Sequence, residues 1–195
     1  MKYIHILIFL MTHDTTKLKE FWQSEIIKNK SFKWRRILRR LKESKRKSRQ
    51  EFYWFWWRLA NEMYLTENQK YKNIALSINC DLLMKYNTEI LLGAKIGKNL
   101  HLAHTRGIVI NDKVEIGDNA TLLQGVTIGM KHREQHIKIT IGNNFYAGAN
   151  SVILGGEFVI GDNVRIGALS FVDKSLPDNC VVYTKKLNEI VIKAS

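Results

Sequence analysis

Histidine is the side chain best suited to move a proton near neutral pH, and His104, His132 and His136 are the candidates for that role. His104 opens the run His104-Thr105-Arg106-Gly107. An alcohol is a poor nucleophile at that pH, and acyl transfer to it needs a base within hydrogen-bond reach. An imidazole, with an ordinary pKa of about 6.5, can take the hydroxyl proton as the oxygen attacks an activated acyl group. Three histidines can also hold zinc, but the spacing of these three does not match such a site, and no metal is expected. Cys80 and Cys180 lie far apart with no paired spacing, so reduced, partly buried thiols are expected rather than a disulfide.

The elements that must position these groups show as a six-residue period. Aliphatic residues stand at Ile90, Ile96, Leu102 and Ile108, then at Ile110, Ile116, Leu122 and Ile128. Further phases run Ile141, Ala147, Ile153 and Ile160, Ile166, Val172. Seven of these residues precede a glycine, and all twelve glycines of the chain fall between Gly93 and Gly167. A period of six fits neither a helix face nor an alternating strand. It predicts a parallel β-helix whose short strands stack and whose aliphatics fill the bore.

Residues 1–89 contain neither glycine nor proline, and they predict helices. Trp34, Ile37, Leu38 and Leu41 form one apolar stripe, and Phe52, Phe55, Trp56 and Leu59 a second, widened by Tyr53 and Trp57. A third helix is expected from about Gln69 to Tyr86, with Ile74, Ile78 and Leu82 inward and Asn87 as its stop. Lys2 precedes an apolar run from Tyr3 to Met11, interrupted by His5. That run is too short to span a membrane, and Thr12-His13-Asp14 offers no signal-peptidase site. A buried or surface-docking segment is expected.

The formal net charge is +13, and residues 28–49 hold twelve basic side chains against the single acid Glu43. An anionic partner is implied. Helix packing accounts for the aromatic stripes, while the sharper reading is an interfacial patch on an anionic membrane. No nucleic-acid motif accompanies the charge, and no nucleic acid is expected.

From Glu89-Ile90 through His104-Thr105-Arg106-Gly107-Ile108-Val109-Ile110 to Leu123-Gln124-Gly125-Val126-Thr127-Ile128-Gly129, the chain resembles the hexapeptide-repeat acyltransferases, in particular the serine acetyltransferase branch. The resemblance implies an α+β fold, an N-terminal helical region followed by a C-terminal left-handed parallel β-helix. The implied division is a basic, aromatic-rich helical domain over 1–87, the acyltransferase domain over 88–176 and a C-terminal extension over 177–195. It implies His104 as general base toward acetyl-CoA, with Glu89, fifteen residues earlier, fixing the imidazole. It places His136, with Gln135 and Ala103, at the acceptor site. It gives Gly129, Gly148, Ala149, Arg165, Gly167 and Ala168 to acetyl-CoA, and it implies a homotrimer or a dimer of trimers.

The chain also departs from that family. Serine acetyltransferases hold their amino acid with an aspartate and an arginine where Ala103 and Gln135 stand here. A zwitterion without those anchors is costly to bury. Tyr183-Thr184-Lys185-Lys186 replaces the usual segment after the last coil, and the C-terminal isoleucine is missing. The expected acceptor is therefore a sugar hydroxyl of a bacterial surface polysaccharide (capsule, lipopolysaccharide or exopolysaccharide) or its lipid-linked precursor. A cytoplasmic enzyme is expected, with peripheral inner-membrane contact through residues 28–59. The alternatives are serine O-acetylation in cysteine biosynthesis and a non-catalytic trimer that binds polyanions or membranes.

Overall fold

The computed structural model describes residues 2–28, 31–47, 50–130 and 138–185. Five helices come first: α1 Lys2–Thr12, α2 Thr16–Trp22, α3 Trp34–Lys47, α4 Gln50–Tyr64 and α5 Gln69–Tyr86, with a π-helical turn Gln23–Ile27 continuing α2. The last of them begins and ends where its sequence says. The Asn68 side chain accepts from the N–H groups of Lys70 and Tyr71, and Asn87 closes the helix in the left-handed region at φ 50°.

Among the described residues fourteen short parallel strands follow, in three sheets. The first stacks β1 Glu89–Ile90, β4 Val109–Ile110, β7 Thr127–Met130, β10 Val152–Gly155 and β13 Phe171–Val172. The second stacks β2 Lys95–Ile96, β5 Val114–Ile116, β8 Ile139–Ile141 and β11 Phe158–Ile160. The third stacks β3 His101–Leu102, β6 Thr121–Leu122, β9 Tyr146–Ala147, β12 Arg165–Ile166 and β14 Val181–Val182. Helices followed by three parallel sheets of this order are the architecture of the left-handed β-helix. Along each sheet the inward residue lies on its counterpart in the next coil, as Ile90 on Ile110 and Ile110 on Ile128. Residues two positions before each strand aliphatic, such as Ala94, Val114 and Val126, fill the bore beside them and are fully buried.

One expectation of phase is corrected. Ile108 does not continue the series from Leu102, because Ile110 takes the strand position opposite Ile90. Ile108 instead fills the bore, fully buried, and its carbonyl accepts from Glu89 N at 2.8 Å. Two extra residues therefore lie between Leu102 and Ile110, and they swell the first corner into a loop that carries His104.

The other corners turn on asparagine and glycine. Asn99, Asn119, Asn144, Asn163 and Asn179 all sit at φ between 56° and 61°, a region that asparagine tolerates better than other side chains. Their amides hydrogen-bond in a ladder from coil to coil. The glycines beside them are needed for close approach: a Cβ on Gly117 would come within 2.8 Å of the Asn143 nitrogen.

The first coil leaves a rim of unpaired backbone groups, and α4 covers it. The Trp57 indole donates to Ile90 O at 2.9 Å, Asn61 bridges Gly93 N and Ala94 O, and Leu102 N donates to Gln50 Oε1 at 2.8 Å. Arg58 is 3 % exposed and donates to Ile96 O and Gly97 O at 2.7 and 2.6 Å. Its remaining N–H groups reach the buried Glu25 carboxylate at 2.6 and 3.1 Å, while its plane lies 3.8 Å from the Phe21 ring. Burial pushes the Glu25 carboxyl up against the opposing pull of Arg58, so this contact matters chiefly when one partner is lost.

Most of the aromatic run on α4 turns inward, whereas Trp34 and Leu38 of the α3 stripe are exposed. Trp54 and Trp57 are buried with Tyr53, Phe55 and Leu59, and Trp22 stacks on Phe55 at 4.5 Å between centroids. The run on α4 is thus packing, and the tryptophans of residues 50–59 are not a membrane-facing belt. Among the described residues no helix is long and apolar enough to cross a membrane. Arg58→Met is expected to cost about 3–5 kcal/mol, because it strands a buried carboxylate and two carbonyls. Urea unfolding checks this, and a loss below about 1 kcal/mol would contradict the role given to the pair.

Candidate active site

The two-residue excess at the first corner is held from both sides. Gly107, at φ +69°, donates its N–H to Asn87 O at 2.6 Å, which ties the loop to the end of α5. Gly125, at φ +71°, donates to Arg106 O at 3.1 Å from the coil above. Arg106 N closes the loop on His104 O at 2.9 Å. Both glycines adopt a conformation that other L-residues resist, and a Cβ on Gly107 would also meet the Gly125 Cα at 3.5 Å.

This loop forms one wall of a cleft of about 670 Å³ between the β-helix and the helical region. Ala103, His104, Thr105 and Arg106 line it from the loop, His101 from β3 and Gln124 from the next coil. The helices contribute Gln50, Glu51, Lys85 and Tyr86. These four were missed from the sequence, as was His101. Gln50 and Glu51 come from about fifty residues away, as in Gln50 Nε2 to His101 Nδ1 at 2.9 Å, and Lys85 and Tyr86 from the end of α5, so a local pattern gives no signal for them.

His104 is exposed at the cleft, and Ala103 beside it is half-buried. Glu89 is half-buried on the outer side of β1, opposite Val109. It does not line the cleft, but the loop's tie to Asn87 falls two residues before it. Burial, with the Glu89 charge as a lesser cause, pushes the Tyr53 phenol above its ordinary value. Among the described residues neither the Glu89 carboxylate nor the His104 imidazole has a hydrogen-bond partner, and none joins the two. Catalytic hydrogen bonds are often long before substrate binds.

The residues expected to meet acetyl-CoA fall into one group and one outlier. Gly148 and Gly167 stack at the corner that follows the third sheet, where a Cβ on Gly148 would meet Ala168 N at 2.5 Å. Ala149 and Ala168 continue that strip, and Leu169 N donates to Ala149 O at 2.8 Å. Arg165 projects from β12 beside them, its guanidinium 4.1 Å above the Tyr146 ring. Gly129 lies apart from this corner, on β7 opposite Leu154. Gln135 and His136, with His132, lie outside the described residues.

No family model matches the chain. A serine acetyltransferase of Staphylococcus aureus (strain Mu50) is 38 % identical over 125 residues, which span 64 % of this chain and 57 % of the relative. One from Helicobacter pylori (strain J99) is 39 % identical over 105 residues, 52 % of this chain and 60 % of the relative. The chain thus spans little more than half the length of these curated relatives. Among solved structures, soybean serine acetyltransferase complexed with serine superposes with a TM-score of 0.62 at 26 % identity, covering 67 % of this chain and 53 % of that one. The Neisseria gonorrhoeae enzyme in complex with serine gives 0.61 at 28 %, covering 70 % and 55 %.

Gly107→Ala is expected to destabilise the fold by about 1–2 kcal/mol, the cost of a left-handed conformation for a residue with a Cβ. Gly156→Ala serves as the control, since its added Cβ would meet nothing within 4 Å. Equal urea midpoints for the two variants would contradict the strain assigned to the His104 loop. In its β-helix and in the loop that this helix carries, the chain is similar to these serine acetyltransferases.

Proposed function

We propose that this protein is an acetyl-CoA-dependent O-acetyltransferase with His104 as its general base. The observation that carries the reading is the position of His104. It stands on the pinned loop that walls the cleft, in a β-helix similar to those of serine acetyltransferases. In the reaction the acceptor hydroxyl gives its proton to the imidazole as its oxygen attacks the thioester carbonyl. The tetrahedral intermediate then expels the CoA thiolate, which takes that proton back from the imidazolium, leaving an acetyl ester and free CoA thiol. Glu89 acts as a positioning residue beneath the loop, its charge favouring the imidazolium. The small corner residues Gly148, Ala149, Gly167 and Ala168 let the pantetheine arm approach the backbone, and Arg165 is the cation for its phosphates.

The acceptor favoured by the comparisons is L-serine. The relatives cited are serine acetyltransferases, and two of the solved structures hold serine. A polysaccharide acceptor has no counterpart among them. One observation favours the second reading, transfer to a sugar hydroxyl: the cleft wall beside His104 presents the methyl group of Ala103, which cannot anchor an ammonium group. A homotrimeric, cytoplasmic enzyme accompanies either acceptor.

The assay is CoA thiol release from acetyl-CoA with L-serine, with simple sugars and with a deacetylated acidic polysaccharide. Turnover is expected with one acceptor class, and His104→Ala is expected to lower kcat by about 10²–10⁴-fold with the KM for acetyl-CoA little changed. Turnover with serine selects the first acceptor, and turnover with glycan alone selects the second. Full activity in the variant would remove His104 from the mechanism.

A further inference from the structure

Helices α1 and α3 both pack on the first turns of α4. On α1 the buried side is Ile6 and Phe9, while Tyr3, Ile4, Leu7, Ile8 and Met11 form a continuous apolar stripe at i, i+1, i+4, i+5 and i+8. These five side chains are between 42 % and 84 % exposed. An apolar patch of that kind, on a helix fixed in place, marks an interaction site. The helix is fixed: Lys2 Nζ lies 2.7 Å from the Asp81 carboxylate on α5, and Phe9 meets the Tyr71 ring edge-on at 5.3 Å.

Tyr3 at the start of α1 touches the Trp56 ring, 6.4 Å between centroids, and Trp56 neighbours Phe52 one turn earlier. Phe52 N in turn donates to the Ser44 hydroxyl near the end of α3. Through Tyr3 and Ser44, α1 and α3 thus both meet the Phe52–Trp56 turn of α4. Arg35, Arg39, Arg40 and Lys42 are exposed on α3, as is Leu38 among them. Glu43, the one acid there, is already paired with Arg40 at 3.6 Å.

From this arrangement we infer that the helical region docks on an anionic lipid surface, with the α1 stripe entering the interface and α3 lying against the headgroups. The charge decides between lipid and a second copy of the chain. Two copies joined through this face would bring their basic helices together, whereas an anionic surface neutralises them. The buried aromatics of α4, Tyr53, Trp54, Phe55 and Trp57, take no part in it, and it stands independently of the acetyl-transfer reading.

The test is co-sedimentation of the full chain with vesicles of phosphatidylcholine alone and of phosphatidylcholine mixed with phosphatidylglycerol, at low and high salt. Binding is expected only to the anionic vesicles, weakened by salt. Arg39→Gln with Arg40→Gln is expected to lower the affinity about tenfold, as is Ile4→Ser with Leu7→Ser. All four side chains are exposed, and unchanged urea midpoints would show that both variants fold. Failure to bind anionic vesicles at low salt overturns the inference. So does binding that ignores the α1 substitutions, or α1-dependent self-association in sedimentation velocity without lipid binding.

Discussion

A parallel β-helix cannot end on its own, because its first coil exposes a rim of carbonyls and amides with no strand to pair them. Here α4 closes that rim with side chains. Gln50, Trp57, Arg58 and Asn61 stand on one face of the helix, and each meets a backbone group of the first coil. Arg58 alone satisfies two carbonyls, and it brings Glu25 into the interior as its counter-charge. A buried ion pair gains little over a hydrophobic replacement, but losing half of it is costly. The helices and the coils are therefore bound to one geometry, and the cleft between them inherits it.

The candidate chemistry arises where the coil is too long. A coil of regular period has eighteen residues, while the first spans twenty from Glu89 to Val109. The surplus cannot enter the bore, which Ile108 and Ile110 already fill, so it is pushed outward as the His104 loop. Gly107 and Gly125 fasten the C-terminal end of that loop from two sides, to Asn87 and from the coil above. The backbone that carries His104 is thereby tied both to the end of α5 and to the next coil. The α4 cap reaches the same place, because Gln50 ties both His101 and Leu102 immediately before the loop.

Much of the fold was legible from the period of six, since a stacked coil repeats its demands on every turn. The phase at Ile108 was misread because a single sequence shows two aliphatics two residues apart, and only the pairing with Ile90 says which is the strand position. The end of α5 was legible because its caps are local. The direction of the aromatic run was not: Trp54 and Trp57 are buried by segments more than thirty residues away, and composition alone suits a membrane as well as a core. The site was legible on the β-helix side alone. His104 stood in a local motif, whereas Glu51, Lys85 and Tyr86 join the cleft through tertiary contacts. The acceptor expected from Ala103 and Gln135 is the part the comparisons favour least, since a lost anchor says what is missing rather than what replaces it.

The most direct test of the account is a crystal structure of the protein with CoA and the acceptor alcohol that supports turnover. The acceptor hydroxyl should lie within hydrogen-bond reach of the His104 imidazole, about 2.6–3.2 Å, with the CoA sulfur close to the same hydroxyl. An acceptor bound elsewhere, or a hydroxyl and thiol that meet out of reach of His104, would contradict the assignment of this cleft and of its base.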